Sequence, residues 1–432
     1  MESIWKASIQ LPEFPELNKD IHADVLIIGG GIAGILTAYF LHQEGVKYAL
    51  VEKGRICSGT TQNTTAKITC QHGLIYQTIV KSYGVEKAQK YLHINQTALE
   101  AYAKLCRNMD CDFVYRDNYV YSVDDALKLE NEMRALQKIG YPAELCEKLP
   151  LPFAAVGAVK FPHQAQFHPL RFMAAIAKDL HIYENTFVRE MIGNTAITDK
   201  AKIHADKVIV TTHFPFLNKH GSYYLKLYQH RSYVLALENA PNVDGMYVDE
   251  NKKGMSFRNA EDLLLIGGGG LRTGKHGGNW EELRRFARKY YPQAHEKYRW
   301  AAQDCMSLDG IPYIGQYSRN TPNLFTATGF NKWGMTGAMV SAMLLHDIVL
   351  NKKNEYLDVF SPSRSILKPQ LVVNGFEATK NLLTISKKRC PHLGCALKWN
   401  WVEHSWDCAC HGSRFSENGR VLDNPANGNL RE

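Results

Sequence analysis

The chain has 432 residues, 45% of them hydrophobic and 22% charged, with 51 Lys and Arg against 43 Asp and Glu for a formal net charge of +8. At roughly 150 residues per domain, that length predicts about three structural units, or one two-lobed body with an appendage. The composition excludes a disordered, collagenous or coiled-coil chain, and the mild, dispersed positive excess argues against nucleic-acid binding while leaving room for an acidic protein partner.

Residues 1–20, MESIWKASIQLPEFPELNKD, have neither a basic start nor an apolar core, so no signal or transit peptide is expected and a cytoplasmic location follows. The longest apolar stretch, 25–41, is interrupted by Gly29, Gly30, Gly31 and Gly34. It fits a buried strand, turn and helix better than a membrane span, and 338–350 is too short to cross a bilayer. The pattern predicts a strand over 25–28, a helix over 32–43 capped by Gly45, and a second strand over 48–51. Gly29, Gly31 and Gly34 form G-x-G-x-x-G between the first strand and the helix, and Glu52 ends the second strand. In a dinucleotide site the first glycine allows the tight turn, the second lets backbone N–H groups approach a pyrophosphate, and the third permits close helix-to-strand packing. Glu52 would accept hydrogen bonds from the adenosine ribose. Gly29, Gly31, Ile32, Ala33, Gly34, Glu52 and Lys53 are therefore expected to bind a dinucleotide.

Downstream, 85–108 and 124–138 read as amphipathic helices, and 207–211 and 263–267 as buried strands, so the body is expected to be α/β. From Asn351 the texture turns polar, with Pro362 and Pro369 and no sustained period, which predicts a linker or surface strap. The remainder is rich in Cys, His, Trp and Gly without a helix of note. Four of the ten cysteines fall here. Cys390-x-His392 is followed fifteen residues later by Cys408-x-x-His411, offering two thiolates and two imidazoles on two loops. Zinc could take the same four ligands, but the extra cysteine on each loop, Cys395 and Cys410, and the adjoining glycines in LGC and CHGS weigh against it.

The N-terminal unit, SGTTQNTTAKIT (58–69), SLDGIPYIG (307–315) and ATGFNKWGMTGAMVSAML (327–344) together resemble the D-amino-acid oxidase and glycine oxidase superfamily of FAD enzymes. The C-terminal loops are similar to the Rieske 2Fe-2S signature, C-x-H-L-G-C with C-x-C-H-G-S. These resemblances imply an α/β (α+β) fold in which a Rossmann-like FAD-binding domain (about 21–80, 150–215 and 305–350) interleaves with a mixed-sheet substrate domain (about 85–149 and 218–304). A linker over 351–380 and a small all-β Rieske unit over 381–432 would follow. By the same likeness Ser58, Thr60 and Thr61 lie near pyrophosphate and flavin, and Val188 contacts adenine through its backbone. The loop carrying Gly329, Lys332, Gly334, Met335 and Thr336 passes the flavin and opens a helix toward it. Cys390 and Cys408 would hold one iron, His392 and His411 the other, with Cys395 and Cys410 bridged and Ser413 donating toward a bridging sulfur. Phe415 stands where high-potential members carry a tyrosine donor, so the potential is expected somewhat below the top of the roughly −150 to +300 mV Rieske range. Only twenty residues separate Pro369 from Cys390, too few for the usual base strands, so the unit is expected to rest on the flavin body.

A flavin takes two electrons and a Rieske cluster passes one, so the pair makes a converter. The expected activity is FAD-dependent oxidation of a small amine-type donor, with electrons leaving through the cluster to an external one-electron carrier. Lys387, Lys388 and Arg389 are either a basic rim for an acidic carrier or a solvated face. Amino-acid oxidases of this group present an arginine shortly before the aspartate of D-G-x-P-x-I-G. Here that aspartate is Asp309 and the arginine's place is taken by Asp304, which favours an ammonium over a carboxylate, unless Arg231 or Arg258 restores a positive charge. Trp300 and Tyr233 are candidate walls, and His168 and Lys332 candidates for proton handling, with no general base assigned. The alternatives are an electron-input protein whose cluster feeds FAD, and a redox sensor without turnover.

Overall fold

The structure, a computed structural model, describes residues 2–251, 253–275 and 277–430. The elements that carry the site are, in chain order, β1 (Ile21–Ile28), α1 (Ile32–Gln43), β2 (Tyr48–Val51), β3 (Lys202–Val210), β4 (Leu227–Glu238), β5 (His295–Ser307), β6 (Leu324–Thr328), α2 (Gly334–Val349) and α3 (Pro369–Leu383).

In the first sheet, β6, β3, β1, β2 and Ile182–Tyr183 lie parallel in that order, with Tyr313–Gln316 antiparallel on the β6 edge and a short hairpin, Glu190–Ile192 with Thr195–Ile197, on β3. The apolar runs that the sequence shows at 25–28, 48–51 and 207–210 are what strands covered on both faces require. Helices α1 and α2 pack against each other over this sheet, burying Leu36, Ala38, Val340 and Leu344 completely.

The second sheet runs β5, β4, Leu263–Arg272, Ser256–Ala260, Met246–Asp249, Val114–Ser122, Gly157–Gln166 and Lys67–Ile68, with Glu144–Cys146 attached to Gly157–Gln166. Its strands are mixed in direction, with Met246–Asp249 and Val114–Ser122 parallel and the other neighbours antiparallel. Two segments lie elsewhere than the sequence boundaries suggest: Lys67–Ile68 and Gly157–Gln166, read as part of the dinucleotide-binding half, pair with each other in this sheet, and Gly157–Gln166 pairs with Val114–Ser122 on its other side. Strand partners are a long-range property, and nothing local in 157–166 distinguishes the two sheets. The third sheet is small and antiparallel, Leu397–Asn400, Ser405–Cys408, Arg414–Ser416 and Val421–Asp423.

The expected linker, 351–380, is a structured strut. The Arg364 side chain, 7% exposed, packs against Asp309, to which its Nε and NH2 donate at 2.8 Å each, and its guanidinium lies 3.8 Å from the centre of the Tyr313 ring. Helix α3 follows with its polarity turned inward. Asn374, Glu377 and Asn381 are buried, while Val372, Phe376 and Leu383 are 75, 66 and 78% exposed. Arg272 donates to Asn374 at 2.8 Å, Lys275 pairs with Glu377, and the Ala396 N–H donates to the Asn381 carbonyl. These bonds tie the larger body, the helix and the loop at 390–396 together, so the small third sheet rests on the body.

Candidate active site and cluster site

A cavity of about 1010 Å³ opens between the first two sheets, at the carboxyl ends of β1 and β2. Gly29, Gly31, Ile32, Ala33, Glu52, Lys53, Ser58, Thr60, Thr61, Val188, Lys332, Gly334 and Met335 line it. Gly29 has φ of 115°, and a Cβ there would stand 2.7 Å from the Thr211 carbonyl oxygen; one on Gly34 would stand 2.0 Å from the Gly29 carbonyl oxygen. Gly31 differs: a Cβ would meet nothing nearer than Thr61 Oγ1 at 3.5 Å, so its missing side chain leaves an open cradle facing the cavity. Gly31 begins α1 without a side-chain cap, and α2 begins at Gly334 likewise uncapped, so two helix N-termini meet the cavity. Glu52 accepts from the Gly30 and Gly54 N–H groups at 2.8 and 3.1 Å, while burial pushes its carboxyl above the ordinary range. The dinucleotide chemistry read from the motif fits this arrangement.

Gly34, Gly329 and Thr336 do not line the cavity; they shape it. Thr336 donates to the Thr69 carbonyl and contacts His72 Nε2, and Gly329 turns the chain from β6 toward α2 with φ of 72°.

At the far end the cavity is walled by Arg231, Tyr233, Asp304 and Lys332. Burial pushes the Asp304 carboxyl up to about 6, against the opposing pull of Lys332 and then Arg231. Two expectations are corrected. Arg258 points away from this cavity, its NH1 donating to the Thr65 and Ala66 carbonyls at 2.8 and 2.7 Å under the Trp5 ring, so it supplies no charge here. His168 caps the helix Pro169–Ala177 through the Arg171 N–H and contacts Ser8 Oγ at 2.8 Å; burial lowers it to about 4, and its role is structural. Both residues line a smaller, separate cavity of about 240 Å³. Trp300 is core, donating to the Asn63 carbonyl. Asp309 is consumed by Arg364 and by the Tyr83 hydroxyl at 2.6 Å.

On the third sheet the loops 390–395 and 408–413 face each other and are joined by a Cys395–Cys410 disulfide. The thiols of Cys390 and Cys408 hydrogen-bond each other, which lowers one and raises the other, and the Ser413 hydroxyl bonds Cys390 while accepting from the Ala426 N–H at 3.0 Å. The rings of His392 and His411 lie 4.9 Å apart, and burial lowers them to about 4 and about 3, so both are neutral ligand-type imidazoles at pH 7. His392 Nε2 is bonded to Asn218 Oδ1 at 2.8 Å and His411 to the Tyr224 backbone; the buried His411 Nδ1 has no partner among the described residues. A thiol pair beside an imidazole pair, rather than four ligands around one point, fits a two-iron group better than a single zinc ion. The ligand trios within 4.8 Å among the described residues are Cys395, Cys408, Cys410, of which two form the disulfide, and the exposed His22, His204, Asp206.

Several residues at this junction escape sequence reasoning. Gln303 donates to the Gly412 carbonyl at 2.8 Å and to Gln229 Oε1 at 2.6 Å, while Gln229 donates to the His411 carbonyl at 2.9 Å. Thr60, on the cavity wall, donates to the Gln303 carbonyl at 3.0 Å. Glu403, Arg414 and Asn424 of the cluster unit line the same cavity as Gly29. Lys67 also lines it, with burial pushing its ammonium down to about 7 and Arg258 acting the same way. Thr60 was an expected site residue and Lys67 lay inside the same singled-out segment, 58–69; the others announce themselves through contacts far apart in sequence.

The FAD dependent oxidoreductase family, of the D-amino-acid oxidase type, matches residues 24–348, and the Rieske [2Fe-2S] domain family matches 352–432. YhfW of Bacillus subtilis (strain 168), a protein named for a Rieske 2Fe-2S centre, is 35% identical, covering 98% of this chain and 96% of its own. Among solved structures, glycine oxidase from Geobacillus kaustophilus superposes with a TM-score of 0.67 at 19% identity, over 80% of this chain and 99% of its own. L-proline dehydrogenase from P. horikoshii does so with 0.67 at 17% identity, over 81 and 98%. With the cavity and the cluster loops described above, these matches establish that the chain belongs to the FAD-dependent oxidoreductase family and carries a C-terminal Rieske domain, with FAD and a 2Fe-2S cluster as its cofactors.

Proposed function

We propose that the protein oxidises a small amine-type donor at the flavin end of the cavity and delivers the electrons singly, through the cluster unit, to an external carrier. Bound FAD supplies two-electron acceptance from a C–H bond and the 2Fe-2S cluster one-electron transfer. The observation that carries the reading is the continuity of the site: cluster-unit residues line the cavity that begins at Gly29, and Gln303 and Gln229 bond that cavity to the histidine-bearing loop. In this reading Gly31 and Ala33 present backbone N–H groups to the pyrophosphate, while the Ile32 N–H holds Thr61 Oγ1 beside it at 3.1 Å; Glu52 takes the ribose, and the α2 N-terminus faces the flavin. Cys390, Cys408, His392 and His411 hold the two irons, and Ser413 steadies a sulfur.

At the donor end, Asp304 attracts an ammonium group and Tyr233 walls the pocket beside it. Lys387 and Lys388 are exposed next to the cluster loop and suit an acidic carrier. Arg389 holds that loop instead, donating to the Leu382, Thr384 and Gly394 carbonyls. Among the described residues no helix is long and apolar enough to cross a membrane, and we place the protein in the cytoplasm, where burial shields the Cys395–Cys410 bridge from thiols.

The test is an anaerobic titration of the holoprotein with polyamines, secondary amines and amino acids, followed in the flavin absorption bands. Bleaching by cationic amines in preference to anionic amino acids is the expected result. Preference for the anionic amino acids contradicts it.

A further inference from the structure

The donor end of the cavity contains one arginine in the body's own sheet, Arg231 on β4, of the kind that binds a substrate carboxylate. A guanidinium grips a carboxylate through two parallel N–H groups on one edge. Here that edge is already taken. Arg231 Nε donates to Glu403 Oε1 at 2.7 Å and its NH2 to Glu403 Oε2. Glu403 belongs to the cluster unit, in the turn between Leu397–Asn400 and Ser405–Cys408, 172 residues away in sequence. Its side chain is 2% exposed, and Tyr233 and Arg414 donate to it as well, at 3.2 and 3.0 Å. Burial pushes the Glu403 carboxyl up, but Arg231 and then Arg414 outweigh burial and hold it below the ordinary range, so it stays ionised.

Arg414 is in turn matched within its own unit, by Asp407 and by Asp423. The lining here holds Glu403, Asp423 and Asp304 together with Arg231, Arg414 and Lys332, and Asp407 backs Arg414 from within the cluster unit. An incoming carboxylate would have to displace a buried, doubly bonded one and leave Glu403 facing Arg414 alone. An incoming ammonium group needs no such displacement.

We propose that Glu403 is a specificity-determining residue of the flavin pocket: contributed by the cluster unit, it masks Arg231 and so selects donors that carry an ammonium group without a carboxylate. The proposal rests on the amine-donor reading above and adds that the flavin site is incomplete without the cluster unit. A bridge that merely docked the two parts would leave ligand selectivity untouched when its charge is removed.

The experiment measures dissociation constants of benzoate and of butylamine for the holoprotein, from the perturbation of the flavin spectrum, in four forms: unaltered, Glu403→Gln, Arg231→Leu, and the double variant. Flavin and cluster content are checked in each. The expected result is at least tenfold tighter benzoate binding and weaker butylamine binding in E403Q, no change in benzoate binding in R231L, and loss of the gain in the double variant. Benzoate affinity unchanged in E403Q overturns the proposal. So does a tenfold loss in R231L alone, which needs no variant of the cluster unit and would mean that Arg231 already serves carboxylates. If E403Q gains benzoate but no amine reduces the flavin, the masking stands and the amine reading falls; if amines reduce the flavin and E403Q changes nothing, only the masking falls.

Discussion

In the proposed function Asp304 supplies an acidic group to the donor end, and its position follows from register: on β5 it lies opposite His230 of β4, one residue from Arg231. Burial raises its carboxyl to about 6, so the charge that attracts a cation is present above that pH and lost as pH falls through it. We therefore expect kcat/KM for a cationic donor to fall on the acid side of about pH 6 and this limb to disappear in Asp304→Asn. The same variant should lower kcat/KM by about 10–100-fold above pH 7, the effect of losing a charge-assisted contact of about 1.5–3 kcal/mol. A D304N profile that keeps the acid limb would assign it to another group. Asp304 was legible in the sequence because it stands at a fixed offset before Asp309 in a recognisable segment. Arg258 was misjudged for the opposite reason: whether an arginine faces a cavity or three carbonyls depends on partners such as Thr65 and Ala66 that no local pattern reveals.

Among the elements, α1 and β2 were legible to the residue, and β1 from its apolar half although it starts earlier, at Ile21, since the glycines, the apolar strands and Glu52 each answer a local steric or hydrogen-bonding demand. Helix α3 was not. Helical periodicity is normally read from an apolar stripe facing the core, whereas here Asn374, Glu377 and Asn381 are buried and the first two meet Arg272 and Lys275. The preceding strap is held by the Arg364–Asp309 pair, both side chains under a tenth exposed. Removing one partner of such a pair strands the other charge, so Arg364→Leu should cost about 3–5 kcal/mol of stability. Thermal or denaturant unfolding of the holoprotein measures it, and a loss below about 1 kcal/mol, the range of surface ion pairs, would show that the strap is not anchored there.

For the whole molecule, the two family matches divide the chain at about residue 350, yet the structure runs bonds across that division in both directions. Gln229 and Gln303 reach the cluster loop, Arg272 donates to the Ala409 and Cys410 carbonyls, and Glu403 reaches back to Arg231. Sequence reading identified the two units and their cofactors, because each cofactor demands a compact motif. It could not see the junction, which is assembled from single residues that carry no motif and acquire meaning only in contact. In the proposed function that junction is what would make the pair a converter rather than two proteins on one chain. The most direct measurement is electron paramagnetic resonance of the anaerobic holoprotein with an amine donor as the sole reductant. The account predicts that the signal of the reduced 2Fe-2S cluster appears as the flavin bleaches, and that Cys408→Ser retains the bleaching without the signal. A flavin fully reduced by donor beside a cluster that stays oxidised would contradict it.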